Sequence, residues 1–419
     1  MENRIKESIN HPEQLEKLYR DDKKGFEKAF AAIYPEVAPN DIAYCWKTRL
    51  EYDHSKEDAP QTWKADLLFL VIASVTAGLL IKLPQLLGFS AEESLFYEKN
   101  AGLIVFFGLS FFAFLTKGAF NPKQLIVVIA VFILSAVYIN LLPSHSYSHS
   151  VTLAYIHLPL MIWCLYGLVF TDFDMKDKDK RMDYLKYNGD LAILVALIAI
   201  TGGILTGVTI GLFSAIEMNI EQFYVDYIVL WGAVSAPIVA TWIIRNYPSV
   251  AGKIAPVIAV IFSPLVLITL VIYLVSIMIT GKDPYNDRDF LIVFNLMLLG
   301  VMAIIVFSIS EISVQKRQRF NEITLLALTA ITLIIDLVAL SAIVYRLGEY
   351  GFTPNRTAVL GSNLLIFGNL VLIMVDLFRV NFSGKEVKKV ELTISGYLPV
   401  YALWTIFVVF GIPILFGLK

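Results

Sequence analysis

The chain has 419 residues, of which 57% are apolar and only 17% charged; 34 Lys and Arg face 36 Asp and Glu, a formal net charge of -2. A soluble domain carries about 25% charged residues, so this composition argues against an assembly of soluble domains. It excludes a basic nucleic-acid binder and a disordered chain, and two cysteines exclude a disulfide scaffold. What remains is a polytopic membrane protein.

Residues 1–62 are polar and of mixed charge. Leu15, Leu18 and Tyr19, then Phe26, Phe30 and Ile33, recur at helical spacing and predict short amphipathic helices. Pro35, Pro39 and Pro60 are expected to break the segment. It reads as a cytosolic N-terminal helical segment, a cap or a docking head for a cytosolic partner. The first apolar run begins near Ala65, beyond the reach of a secretory signal. Cys45 and Cys164 have no nearby histidine and read as small hydrophobes.

A bilayer core about 30 Å thick needs roughly 20 apolar residues per helix. Eleven such stretches follow: 65–83, 102–116, 124–142, 151–171, 190–214, 226–244, 254–279, 290–310, 321–345, 357–378 and 394–417. The second is short. Period-two alternation is absent and the runs are too long for barrel strands. An all-α polytopic helical bundle over 63–419, with about 11 transmembrane helices, is therefore expected. With the N-terminus in the cytosol, the inner loops hold 16 Lys and Arg against seven outside. That asymmetry predicts N-in, C-out. Gly203, Gly207 and Gly211 form a smooth stripe on which another helix is expected to pack.

Asp336 lies inside the ninth stretch, in the run Ile334-Ile335-Asp336-Leu337-Val338. With the helix ending near Tyr345, it sits roughly 14 Å from the outer end. A carboxylate at that depth must be protonated, paired or reached by water. Asn363, at a depth of roughly 12 Å, and Asn295 are expected to line one polar cavity with it; Asn369 lies deeper. Asp376 and Glu311 read as interfacial. In the loop 346–356, Gly348 is expected to end one helix, Gly351 to allow a turn, and Thr353 with Pro354 to start the next helix. Arg356 then lies near a helix N-terminus, where the dipole disfavours a cation. It calls for an acidic partner, with Glu349, Asp287 and Asp289 at hand, or for an anionic ligand; Arg346 has the same chemistry. Outer-loop His145 and His149, with His157, are too few for a metal site. No nucleotide loop or haem-type motif is present, so no metal and no cofactor is expected.

Gly351-Phe352-Thr353-Pro354-Asn355-Arg356, preceded by Leu340-Ser341-Ala342-Ile343-Val344-Tyr345-Arg346, resembles the signature region of a bacterial membrane family catalogued as domain of unknown function 4153. Pro284-Tyr285-Asn286-Asp287-Arg288-Asp289 and Gly361-Ser362-Asn363-Leu364-Leu365 are similar in style. The resemblance covers about residue 60 onward and implies an architecture, not an activity. The expected setting is a bacterial cytoplasmic (inner) membrane, with membrane lipids as neighbours, and the charge balance predicts no nucleic acid partner. Three functions stand open: a secondary transporter or exporter coupled through Asp336; a membrane enzyme acting on a lipid-linked or anionic substrate at the outer face through Arg346, Arg356, Glu349 and Asp287; and a non-catalytic scaffold or sensor docking through residues 1–62. The substrate is not legible.

Overall fold

The computed structural model describes the chain apart from residues 39, 58–61, 118–120, 144–147, 215–217, 248–262, 273, 276–278, 280–284, 286–287, 313–318 and 419; side chains at 23–24, 51–57, 62–64, 208, 211–212, 214, 288–293, 296 and 312 are also outside the description. Every regular element among the described residues is helical. The chain divides into two compact units, Met1–Leu67 and Leu68–Lys419.

The first unit contains α1 (Glu2–Glu7), α2 (Pro12–Asp21), α3 (Lys23–Val37) and α4 (Asp41–Glu57). Pro12 starts α2 where its missing N–H is no loss. The Asp22 side chain caps α3 by accepting from the Gly25 N–H at 2.9 Å. The expected apolar stripe is what packs: Leu15, Leu18, Tyr19, Phe26, Phe30 and Ile33 form a core with Ile5, Trp46 and Leu50. Burying each large apolar side chain contributes about 2–3 kcal/mol. Pro35 does not break the chain as expected; it lies inside α3, which continues to Val37. Pro39 and Pro60 lie outside the described residues.

From Thr62 the helices become apolar: α5 (Thr62–Ile81), two short helices α6 (Leu83–Leu87) and α7 (Ala91–Ser94), α8 (Phe96–Thr116), α9 (Pro122–Leu141) and α10 (His149–Phe170). They continue as α11 (Lys178–Ser214), α12 (Glu221–Asn246), α13 (Ser263–Ile272), α14 (Arg288–Ile312), α15 (Arg319–Tyr350), α16 (Pro354–Ser383) and α17 (Lys388–Phe416). Among the described residues, eight of these are long and apolar enough to cross a bilayer, and they fall on eight of the eleven expected stretches. The other three stretches fall on shorter apolar helices, Ala65–Ile81, Ser263–Ile272 and Met297–Glu311. This is a multi-pass membrane protein. The stretch expected to be short begins at Phe96, not 102. Its first turns hold the polar Lys99 and Asn100. Both are buried with partners: Lys99 Nζ donates to the Leu142 carbonyl at 3.1 Å, and Asn100 and Asn140 exchange amide bonds at 3.0 and 2.8 Å.

In lipid, helices associate by close packing and hydrogen bonds rather than by expelling water. Glycines let bulky rings approach. A Cβ at Gly78 would fall 2.1 Å from the Trp231 indole, and one at Gly361 only 2.0 Å from that of Trp404. The expected packing stripe on α11 behaves otherwise. Among the described residues nothing lies within 4 Å of a Cβ built at Gly203 or Gly207, and the surroundings of Gly211 are outside the description. Two large cores result. One joins α5, α8, α9, α10 and α12 with Tyr184 and Tyr187 of α11 and Val409 of α17. The other joins α13 to α17.

Candidate functional site

The second core holds the expected polar residues, and its frame is the hairpin α15–α16. Gly351, at φ 70°, ends α15; its N–H reaches back to the Leu347 carbonyl at 2.9 Å. Gly348, expected to be the stop, lies inside the helix. Thr353 caps α16 as expected, its Oγ1 accepting from the Arg356 N–H at 3.3 Å, with Pro354 in the first turn.

The tip changes the reading of Arg356. Its Nη1 donates to the carbonyls of Tyr350 at 2.8 Å and Gly351 at 2.9 Å, and the guanidinium lies 5.3 Å from the Tyr350 ring centre. The tight turn brings the negative end of the α15 dipole against the start of α16. Backbone carbonyls thus supply what an acid or anion was expected to supply. Glu349 is exposed, and Asp287 lies outside the described residues, as does the side chain of Asp289. Arg346 differs: its Nη1 is buried and has no hydrogen-bond partner among the described residues. Tyr285 packs edge-on to Tyr345 with ring centres 5.5 Å apart, and its hydroxyl lies 3.1 Å from that of Ser341.

The length of α15 also corrects the depths. The helix continues five residues beyond Tyr345. Asp336 is fourteen residues before Tyr350, about 21 Å from the tip. In the antiparallel partner, fifteen residues after Pro354 lead to Asn369, at the same level. Asn363 is only nine residues in, about 13 Å from the tip, and does not level with Asp336. It bonds instead to the other predicted residue, its Nδ2 donating to Asn295 Oδ1 at 2.7 Å.

Asp336 is 0% exposed, and neither carboxyl oxygen has a hydrogen-bond partner among the described residues. Asn369, 1% exposed, donates through Nδ2 to the Tyr401 hydroxyl of α17 at 3.1 Å, while its Oδ1 is buried without a partner. Three neighbouring helices thus bring an acid, an amide and a phenol to one depth. Sequence reasoning named Asp336 but missed Tyr401 and set Asn369 aside. The level match was available from counting outward from Gly351.

The far end of the hairpin is ionic. Asp376, read as interfacial, is buried; it accepts from the Thr393 hydroxyl at 2.6 Å and pairs with Lys389 at 3.3 Å and Arg379 at 3.4 Å. Lys388 bridges Asp179 of α11 at 2.5 Å and buried Glu391 at 3.0 Å, and Lys186 lies 3.6 Å from buried Glu311. An open surface pocket of about 440 Å³ lies over this end, lined by Lys385, Lys388 and Lys389. A third polar group, Tyr166–Tyr187–Thr241, was also missed. It is a closed chain of hydroxyls at 2.9 and 2.6 Å ending on the Pro237 carbonyl at 2.8 Å. Among the described residues no three His, Cys, Asp or Glu side chains converge as a metal would require. His157 Nδ1 contacts the Leu153 carbonyl at 2.9 Å, and His145 lies outside the description.

Compared with known families, residues 101–410 match the model described as Domain of unknown function (DUF4153). The chain belongs to this family. The match carries no activity with it. It takes in the whole α15–α16 hairpin and Tyr401, and leaves out residues 1–100, so the DUF4153 match contains the buried acid and its neighbours. Neither a curated protein nor a solved structure matches the chain.

Proposed function

We propose that this DUF4153 protein is a secondary transporter in which the Asp336 carboxyl carries the coupling proton. One observation supports the reading above others: a wholly buried acid at the midpoint of a 32-residue apolar helix, with both oxygens unpartnered among the described residues. An acid at that depth is tolerated if protonated, paired or wetted. Full burial and the missing partner leave the protonated form. An acid kept neutral without a bond that holds it in place is suited to binding and releasing a proton as the helices around it move. Asn369 Oδ1 is an acceptor within the same layer, and the Tyr401 hydroxyl joins it to α17.

The accompanying architecture is eleven spans, N-in and C-out, in a cytoplasmic membrane. The first unit faces the cytosol as a docking surface for a soluble partner. The lysine- and arginine-rich loops at 172–186 and 379–393 support that orientation. The test is proton entry into proteoliposomes containing a trapped pH-sensitive dye. Entry is driven by a valinomycin-clamped potassium gradient with inorganic phosphate present. Wild type should acidify the lumen faster than empty liposomes, and D336N should not. Equal rates in D336N and wild type, or no rate above empty liposomes, would refute the role given to Asp336.

A further inference from the structure

We propose that Arg346, together with Thr357, binds a phosphate-type oxyanion at the tip end of the α15–α16 hairpin. The inference rests on the transport reading only in naming its substrate class. Arg346 Nη1 and Thr357 Oγ1 are both buried, and neither has a hydrogen-bond partner among the described residues. Arg346 lies four residues before Tyr350, and Thr357 three residues after Pro354. Both are therefore about one helical turn inside the tip, on the two helices of one hairpin.

The chemistry of the two groups differs from that of Asp336 in one decisive way. A buried carboxyl can become neutral by taking up a proton. A guanidinium cannot lose its charge under any ordinary condition and has donors only. An unpaired donor nitrogen inside a helix bundle is therefore a vacancy for an acceptor, and a negative one. Thr357 adds a hydroxyl at the same level. The other arginine of the tip has no such vacancy, because Arg356 is committed to the Tyr350 and Gly351 carbonyls.

The surroundings narrow the anion. Tyr345, Tyr350 and Phe352 are large exposed side chains around the tip. Aromatic collars of this kind sit at the level of lipid headgroups, where phosphate oxygens are the abundant acceptors. A planar guanidinium fork matches two oxygens of a phosphate. The shared chemistry is a phosphate oxyanion, either free in solution or on a lipid headgroup.

The test uses the purified full-length protein in dodecyl maltoside. Its thermal unfolding midpoint is titrated with inorganic phosphate and, separately, with dihexanoyl phosphatidylglycerol; chloride at equal ionic strength is the control. At least one probe should raise the midpoint saturably beyond chloride. A response to phosphate alone assigns a soluble ion, and one to the lipid alone assigns a headgroup. R346Q should weaken the apparent affinity about tenfold or more, as expected for loss of a charged hydrogen-bonding pair. R356Q should lower the starting midpoint while leaving the affinity unchanged. Should R346Q fail to fold, R346K and T357V replace it; weaker binding in both supports the assignment, and wild-type affinity in either overturns it. Wild-type affinity in R346Q, or no response to either probe, overturns it as well. D336N should bind as wild type, so failure of the proton-coupling role and failure of the oxyanion site give separate results.

Discussion

Replacing Asp336 by Leu should stabilise the protein. Leaving a buried polar atom without a partner costs about 1–3 kcal/mol, and both Asp336 oxygens are in that state. The site is 0% exposed and bordered by apolar Ile335 and Ala339 on its own helix, so no solvent offsets the cost. Exchanging buried ion pairs for well-packed apolar residues is neutral or gains about 1–4 kcal/mol in other proteins, and Leu keeps the branched four-atom shape of Asp. A rise of about 1–4 kcal/mol is therefore expected for D336L. D336N should lie near wild type, because the amide keeps an oxygen and adds two donors with no more partners than before. The assay is the unfolding midpoint in dodecyl maltoside, followed by fluorescence-detected size exclusion, alongside proton entry in proteoliposomes. A more stable protein that has lost proton entry is the signature of a site kept for function at the expense of stability. A D336L midpoint well below that of wild type would show that the carboxyl is held by partners and would refute the reasoning.

The ionic end of the hairpin should respond in the opposite sense. D376A removes the acceptor of the Thr393 hydroxyl and the counter-charge of Lys389 and Arg379, and should destabilise by about 2–4 kcal/mol, read in the same midpoint assay. G361A should destabilise by about 1–3 kcal/mol, because its Cβ would overlap the Trp404 indole, which is fixed by a 2.9 Å bond to Ser362. In the first unit, Arg49, and after it Arg20, hold the Glu16 carboxyl below the usual carboxylate range. The stability this adds is present above the unfolded carboxyl value, about 4.3, and is lost as pH falls through the lower folded value. The pair is partly solvated, so the effect is about 0.5 kcal/mol or less. Hydrogen exchange of the α2 amides in the full chain should show it, and E16Q should remove the pH dependence.

Much of this fold is readable from residue order because the bilayer demands long apolar helices and the first unit shows a plain helical stripe. The errors have local causes. Gly348 and Gly351 are both acceptable helix stops by composition, and only the backbone reveals which one adopts positive φ. Choosing the earlier one shortened α15 and moved Asp336 about 7 Å toward the tip, which paired it with Asn363 instead of Asn369. The fate of Arg356 was hidden for a related reason. Its partners are main-chain carbonyls, which every residue possesses, so no side chain announces them. Tyr401 is illegible because helix rotation decides whether a residue faces a neighbour or lipid, and apolar composition on all sides of a span leaves rotation undetermined.

The three polar layers of the second unit separate by how fully their groups are satisfied, and that is a stronger guide to role than burial. The Tyr166–Tyr187–Thr241 chain is buried too, yet its bonds run from hydroxyl to hydroxyl to a carbonyl, a closed arrangement that only holds helices together. At the lysine-rich end Asp376 and Glu391 each pair closely with a cation, and Glu311 has Lys186 at 3.6 Å without a hydrogen bond to its Oε1, so moving those helices apart would leave charges unpaired at a cost of several kcal/mol. In the middle of the hairpin and near its tip, Asp336, Asn369 Oδ1, Arg346 Nη1 and Thr357 Oγ1 hold polar atoms without a partner among the described residues. These last gain from a proton or an anion that enters, whereas separating the ion pairs costs. On the proposed transport reading, motion that admits a ligand is therefore cheapest from the tip, with the ionic end as the fixed base of the hairpin.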